Sequence, residues 1–518
     1  MDEKMKKLPI GIQTFSEIIN NNYIYIDKTD IALDLIQNYK YSFLSRPRRF
    51  GKSLFLDTLH NIFEGNKELF KGLAIYDKWD FDDTYPVIKI DWAGDFKTLE
   101  NTHKTAIKIL QINQDRLGIE CDKTDIPSDC FRDMIIKAHQ KYKKPVVILI
   151  DEYDKPILDN LENPQRALEN RDFLRSFYLI MKANDAHIKF AFLTGISKFS
   201  KANIFSGLNN LEDISLTPRY ATICGYTQSN IENEFREYFD GVDLERVKEW
   251  YNGYNFLGDR VYNPFDILKF IKNDFMFKNY WWESGNPYFL ITLLKQQNYD
   301  IPNLENMTVG DELLNSFEVE KIRLEVLLFQ SGYLTIDKQI VTPLGLKYKL
   351  KVPNMEVQLS LNTLFLDYLC SSTYDDGRLT LHEALQIGDM EVFEDTFTSL
   401  FASIPYNNYV KNNIGKYEGY YASVFYAYLS ASGFNIVAED VTNSGRIDLT
   451  LLLKEQIYIL EFKLSTFKDK KTNNTALEQI KEKNYAKKYS DKNKPIYLVG
   501  IEFDVDEKNI SSFEWEMA

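Results

Sequence analysis

Short apolar runs recur along the first 225 residues, at Tyr41–Leu44, Val87–Asp91, Val146–Ile150 and Lys189–Leu193. Each is short enough for a strand and is bounded by polar residues. Between them lie longer stretches with helical spacing, such as Thr98–Leu117 and Arg171–Asn184. Strands alternating with helices predict a parallel α/β sheet. From Thr227 to about Leu294 the pattern turns mainly helical. Around Val319–Val352 a helix over Lys321–Gln330 precedes two β-rich segments, Tyr333–Ile336 and Tyr348–Val352, which reads as a winged-helix-like connector. From about Gln386 the chain changes again: helices to Ser432, a β-hairpin over Ile447–Leu464, a helix over Thr475–Tyr489 and a strand at Ile496–Ile501. The pattern divides the chain into residues 1–225, a helical lid at 226–305, a connector at 306–385 and a last α/β domain at 386–518. No internal repeat or low-complexity tract interrupts it.

Bulk composition narrows the class without naming it. At 518 residues, about three domains are expected. Aromatic residues reach 14%, which excludes intrinsic disorder, and 23 Gly with 15 Pro exclude a fibrous or linker-dominated chain. The four cysteines and five histidines lack zinc-site spacing, so a zinc enzyme, a disulfide scaffold and Cys–His catalysis are not expected. The opening segment lacks the apolar core of a signal peptide, and no run approaches the roughly 20 apolar residues of a membrane span. The expectation is a cytoplasmic chain with no membrane partner. A net charge of −14 argues against a passive nucleic-acid coat but not against a local basic groove.

The first candidate chemistry is Ser45-Arg46-Pro47-Arg48-Arg49-Phe50-Gly51-Lys52-Ser53, which follows a strand and opens a helix. Backbone N–H groups at a helix start hold phosphate oxygens. In such a loop Lys52 reaches the β- and γ-phosphates and Ser53 ligates Mg²⁺. The full G-x-x-x-x-G-K-[ST] pattern would place a glycine at position 46, where this chain has Arg46. Arg46, Arg48 and Arg49 add phosphate contacts of their own in this reading, beside Gly51. The strand Val146–Ile150 then ends in Asp151-Glu152, the arrangement in which Asp151 supports Mg²⁺ and Glu152 polarises a water. Downstream, Thr194 ends another apolar strand, and Arg219 is a candidate γ-phosphate-sensing arginine that would act in trans only within a homo-oligomer.

The second candidate is Gly445-Arg446-Ile447-Asp448-Leu449 followed by Ile457-Tyr458-Ile459-Leu460-Glu461-Phe462-Lys463, joined by a turn at Lys454-Glu455-Gln456. Alternation along a strand puts Glu461 and Lys463 on one face. Charges on an apolar strand are costly to bury without a partner, and a metal is one such partner. Asp448, Glu461 and the carbonyl of Phe462 supply hard oxygens for Mg²⁺, with Lys463 beside them to orient a water or steady a phosphate. Glu418, at the start of an aromatic helix, adds a carboxylate, and Gln479 on the following helix reaches back. Between Lys463 and Lys494 the chain holds ten lysines and four acids, a local +6 that suits a phosphate backbone.

These residues carry a resemblance. Tyr25-Ile26-Asp27-Lys28-Thr29, the Arg46–Ser53 run, Ile150-Asp151-Glu152-Tyr153-Asp154, Trp250-Tyr251-Asn252-Gly253-Tyr254 and Tyr262-Asn263-Pro264-Phe265 resemble the bacterial AAA-ATPase-like domain over roughly residues 5–290. The resemblance implies a P-loop NTPase core with a helical lid, and makes the missing first glycine a family feature. It also puts Thr194 in the place of a sensor residue. Residues 386–518 resemble a PD-(D/E)XK nuclease, an α/β restriction-endonuclease-like fold, with Glu418, Asp448, Glu461, Lys463 and Gln479 matching its active-site pattern; Ile447 stands where the named proline would be. Together they imply an ATP- and Mg²⁺-dependent enzyme cutting nucleic acid, DNA in preference to RNA. A defence or mobile-element role follows by analogy. Two alternatives stay open here: a signalling-type ATPase switch whose last domain binds without cutting, and ATP binding without hydrolysis.

Overall fold

A computed structural model describes residues 5–123, 125–198, 204, 208, 210–281, 307–311, 323–343, 345–369, 378–404, 418–465 and 475–518. The chain forms two compact units, one holding the described residues up to 281 together with 308–355, the other those from 356 onward.

The first unit is built on five strands, β1 (Tyr41–Ser45), β2 (Val87–Asp91), β3 (Val146–Asp151), β4 (Ile188–Gly195) and β5 (Glu212–Asp213). They pair in the order β2-β3-β4-β1-β5, and every pair is parallel. The all-apolar reading of the strands follows from burial on both faces: the six residues of β3 are all buried. Helices Lys52–Phe63, Leu99–Leu117, Pro127–Tyr142 and Pro164–Ala183 supply that cover. Phe131 and Phe177 stack at 4.6 Å between two of them. The last helix starts seven residues before the expected Arg171. Asn163 caps it by accepting from the Arg166 amide, and Pro164 fits the first helical position, where no N–H is needed.

Helices Gln228–Glu234, Leu244–Tyr251 and Pro264–Lys272 follow, with a small antiparallel pair, β6 (Tyr226–Thr227) and β7 (Val261–Tyr262). Each helix starts at a side-chain cap, Thr227, Asp243 and Asn263 in turn. Phe239, Tyr251, Phe270 and Tyr280 form part of their shared core. The expected helical continuation to Leu294 lies outside the described residues beyond 281. A three-stranded antiparallel sheet, β8 (Thr308–Gly310), β9 (Thr335–Thr342) and β10 (Gly345–Lys351), has β10 at its centre. Helix Leu324–Ser331 precedes the hairpin, giving the helix-then-hairpin order of the expected connector.

The second unit carries a mixed sheet, β11 (Ile436–Val441), β12 (Arg446–Leu452), β13 (Ile457–Ser465), β14 (Ile496–Asp504) and β15 (Asn509–Met517), in that spatial order. Only β13–β14 is parallel. Their crossover contains helix Ala476–Glu482 and a 3-10 segment Tyr485–Lys492. The expected single helix to Tyr489 is therefore broken, because Asn484 takes a left-handed conformation at φ 52°. The flanking strands β11 and β15 were not expected. Helices Met390–Ser403 and Glu418–Ala431 cover one face through Phe393, Phe397 and Phe425.

The cysteines carry one link that their spacing does not suggest. Cys121 and Cys130 form a disulfide, their Cα atoms 5.0 Å apart, because the chain turns between helices Leu99–Leu117 and Pro127–Tyr142. One such link is not a scaffold. Among the described residues no helix is long and apolar enough to cross a membrane.

Candidate functional site

In an open parallel sheet, ligands sit beyond the carboxyl ends of the strands. β4 lies between β1 and β3, so the end of β4 stands between the Ser45–Ser53 loop and the Asp151-Glu152 pair. A cavity of about 380 Å³ opens there. Arg48, Arg49, Gly51, Lys52 and Ser53 line it from the loop side; Asp151, Glu152, Asp154 and Gly195 line it from β3 and β4. Pro9, Ile12, Tyr226, Phe265 and Leu268 give it an apolar portion. Gly51 adopts φ 94°, a left-handed backbone that suits glycine, directly before the helix begins at Lys52.

Lys52 is buried, and its Nζ donates to the carbonyls of Arg46 and Pro47 at 2.9 Å each. Burial lowers its pKa, while Asp151 pulls the other way. Asp151 is also buried and accepts from the Glu152 amide. Glu152 sits at φ 49°, and burial raises its pKa above the ordinary carboxylate value. Thr194 is buried, and its hydroxyl has no hydrogen-bond partner among the described residues. Arg219 is not brought to the cavity: its side chain is 62% exposed and its guanidinium pairs with Asp34.

Three further residues, Arg46, Asp154 and Asp91, shape this site in ways that the sequence pattern does not show. Arg46 is 1% exposed and donates to the carbonyls of Ser45 (2.9 Å), Ser215 (2.7 Å) and Tyr220 (3.1 Å), with Phe256 stacked 3.8 Å away. Burial lowers its pKa to about 10. It pins the loop rather than lining the cavity, so of the three arginines expected on phosphate only Arg48 and Arg49 are brought there. Asp154 accepts from the amides of Ile196 (3.1 Å) and Ser197 (2.6 Å) and ties the end of β3 to the end of β4. Asp91 pairs with Asp151 in register, and burial followed by that neighbour raises its pKa. A carboxylate ending each of two adjacent strands was the available signal for Asp91.

In the second unit Leu449 pairs with Leu460, and that antiparallel register continued places Asp448 opposite Glu461. The Asp448 Oδ2 accepts from the Phe462 amide at 2.8 Å. Glu461 is 3% exposed and accepts from the Gln479 side chain. Lys463, on the same face, donates to the carbonyl of Thr475 at 3.3 Å. Thr475 and Glu478 form the capping box that starts the Gln479 helix. Gly500 lets that helix come close, since a Cβ there would lie 2.2 Å from the Leu477 amide nitrogen. Asp448, Glu461, Lys463 and Gln479 thus gather at one place. Glu418 is the first residue of helix Glu418–Ala431, and its side chain lies outside the described residues.

Tyr485 was missed. Its hydroxyl donates to the Arg446 carbonyl at 3.0 Å; burial raises its pKa, and the charges of Glu461 and Asp448 add to that. No group of three or more His, Cys, Asp or Glu side chains stands ready for a metal among the described residues. The two carboxylates and the Phe462 carbonyl on β13 are nonetheless a hard-oxygen set that suits Mg²⁺. Of the ten lysines in the basic stretch, 468, 470 and 471 lie outside the described residues.

Two family models match the chain. Residues 9–205 match the family described as a predicted AAA-ATPase, and residues 416–513 match the PD-(D/E)XK nuclease superfamily. The chain is 45% identical over 515 residues to an uncharacterized protein in the vnfD 5' region of Azotobacter chroococcum mcd 1, covering 98% of each chain.

Proposed function

Because the chain belongs to the family that joins an AAA-ATPase-like domain to a PD-(D/E)XK nuclease superfamily domain, we propose that it binds and hydrolyses ATP with Mg²⁺ in its first unit and cuts phosphodiester bonds, DNA before RNA, in its second. In the first unit, the backbone amides at the start of helix Lys52–Phe63 and the Lys52 amine are the phosphate donors, with Arg48 and Arg49 alongside. Lys52 rests on two loop carbonyls that a phosphate would replace as acceptors. Ser53 and Asp151 are the Mg²⁺ ligands. Mg²⁺ held there would neutralise charge that develops on the transferred phosphoryl group. Glu152, its pKa raised by burial, takes the proton of the attacking water, and the buried Thr194 hydroxyl orients that water.

In the second unit Asp448, Glu461 and the Phe462 carbonyl would hold Mg²⁺, with Glu418 the further acid of the family pattern. Gln479 fixes the Glu461 carboxylate through its side-chain hydrogen bond. Lys463 orients the nucleophilic water and steadies the charge on the phosphate. One observation carries this reading: Gln479, 18 residues on from Glu461, bonds to it beside Lys463 and Asp448. Incubation of plasmid DNA with the protein, Mg²⁺ and ATP should give cutting that Asp448→Ala and Lys463→Ala abolish. Cutting that persists in both variants defeats the site assignment.

A further inference from the structure

The β9–β10 hairpin of the first unit carries a charge arrangement that no ion pair among the described residues balances. Strand alternation sends Tyr348 and Leu350 of β10 into the core, where they are 2% and 0% exposed. Lys347 and Lys349 therefore face the other way, about 6.7 Å apart along the strand. Lys338 of β9 stands directly opposite Lys349 in the register. Like charges in that position destabilise a sheet pair. Hairpins commonly offset such a pair with a neighbouring acid. Here the only acid between residues 335 and 351 is Asp337, which pairs with Lys351 at 3.5 Å and Arg260 at 3.9 Å. Lys338, Lys347 and Lys349 make no ion pair with any described residue; the first two are exposed and the third is half-buried. Towards the turn, Val341 (81% exposed) pairs with Leu346 (38% exposed), so the end of the hairpin is apolar and open.

A cluster of unpaired lysines in a chain of net charge −14 is complementary to a polyanion. A two-stranded ribbon fits the major groove of a duplex, with its cations on the phosphates and its apolar tip against sugars and base edges. We propose that the β9–β10 hairpin is a docking surface for the backbone of duplex nucleic acid, separate from the acids of the second unit. Lys338, Lys347 and Lys349 contact phosphates, and Val341 with Leu346 forms the tip that enters the groove. The choice of nucleic acid over another polyanion rests on the proposed function. The hairpin itself needs neither ATP nor cutting.

The test uses the full chain in EDTA, where metal-assisted cutting does not run. Fluorescence anisotropy with a labelled 30-base-pair duplex is recorded between 50 and 200 mM salt for wild type and for the triple variant Lys338→Gln, Lys347→Gln, Lys349→Gln. Each lost phosphate contact removes about 0.9 from the slope of log affinity against log salt, so the variant's slope falls by about 2.7 and its affinity drops roughly 40-fold less than wild type's across that range. Because the substitutions relieve a like-charge pair, the variant should melt at or above the wild-type temperature, which excludes misfolding as the cause. A Val341→Ser, Leu346→Ser variant should weaken binding with the slope unchanged. Equal slopes for wild type and triple variant overturn the proposal. So does wild-type protein that binds phosphatidylserine vesicles but not the duplex.

Discussion

Gly500→Ala is the sharpest single test of how the second site is assembled. Gly500 lies on β14, in register with Glu461 on β13. A Cβ there would stand 2.2 Å from the Leu477 nitrogen, 2.8 Å from its Cα and 2.9 Å from the Ala476 carbonyl carbon. All three are backbone atoms, so no side-chain rotation relieves the clash. Ordinary contact begins near 3.4 Å, which requires the start of helix Ala476–Glu482 to retreat by more than an ångström. That helix presents Gln479 to Glu461, and its capping residue Thr475 offers the carbonyl that Lys463 holds at 3.3 Å. Overpacking of this kind costs about 1–3 kcal/mol. In a unit of this size each kcal/mol moves Tm by about 2–4 °C, so a fall of roughly 2–12 °C is expected. A misplacement of about 1 Å in a positioning shell lowers turnover by on the order of 10²-fold. Plasmid cutting rates at saturating Mg²⁺, read beside thermal melting, supply both numbers, with phosphate release as the check that the chain is folded. Wild-type cutting with an unchanged Tm refutes the claim that this helix positions the acids.

Two further outcomes concern the first unit. Arg46→Gly restores the glycine of the usual phosphate loop, yet it strands buried carbonyls of Ser45, Ser215 and Tyr220; at about 1–3 kcal/mol each the loss is at least about 3 kcal/mol, and both Tm and nucleotide affinity should fall, as melting with and without ATP would record. For Asp57, burial pushes the carboxyl up, but hydrogen bonds from His60 and Lys89 and the Phe15 amide outweigh it and hold the pKa at about 2. A depressed carboxylate pKa gives stability that is complete above the ordinary 3.8 and disappears as pH falls towards 2. Urea unfolding should therefore show about 1 kcal/mol lost between pH 6 and pH 3 in wild type beyond that lost in Asp57→Asn, which lacks this contribution at both; parallel losses would contradict it.

What could be read before the fold was known followed local periodicity. The apolar runs marked β1 to β4 within one or two residues, because strands buried on both faces leave little freedom in composition. Alternation along β13 put Glu461 and Lys463 on one face, and the turn at Lys454–Gln456 put Asp448 across from them. Features set by contacts between distant loops were not readable. Arg46 looks like a substitution at a glycine position until its guanidinium is seen on carbonyls about 170 residues downstream. Nor does any local pattern reveal Asp34, 185 residues before Arg219, as the partner of its guanidinium. Asp154, quoted within a motif, gained a role only when the amides of Ile196 and Ser197 were found on its carboxylate.

The same distinction explains why Tyr485 escaped. It follows the helix that carries Gln479, past the left-handed turn at Asn484, so helical spacing says nothing about where it points. Its position is fixed instead by Gly445, where a Cβ would lie 2.7 Å from the tyrosine hydroxyl, and by the Arg446 carbonyl that accepts from it. Both belong to the entry into β12, two or three residues before Asp448. A tyrosine held there, with its pKa raised first by burial and then by the two carboxylates, closes one side of the acid cluster with an uncharged ring. Such a wall keeps the negative field of Asp448 and Glu461 from being screened by bulk water on that side, which strengthens their hold on a cation. Tyr485→Phe should then leave cutting nearly intact, since the ring remains, whereas Tyr485→Ala should raise the Mg²⁺ concentration needed for half-maximal cutting by several-fold. Equal Mg²⁺ requirements for the two variants would show that the ring plays no such part.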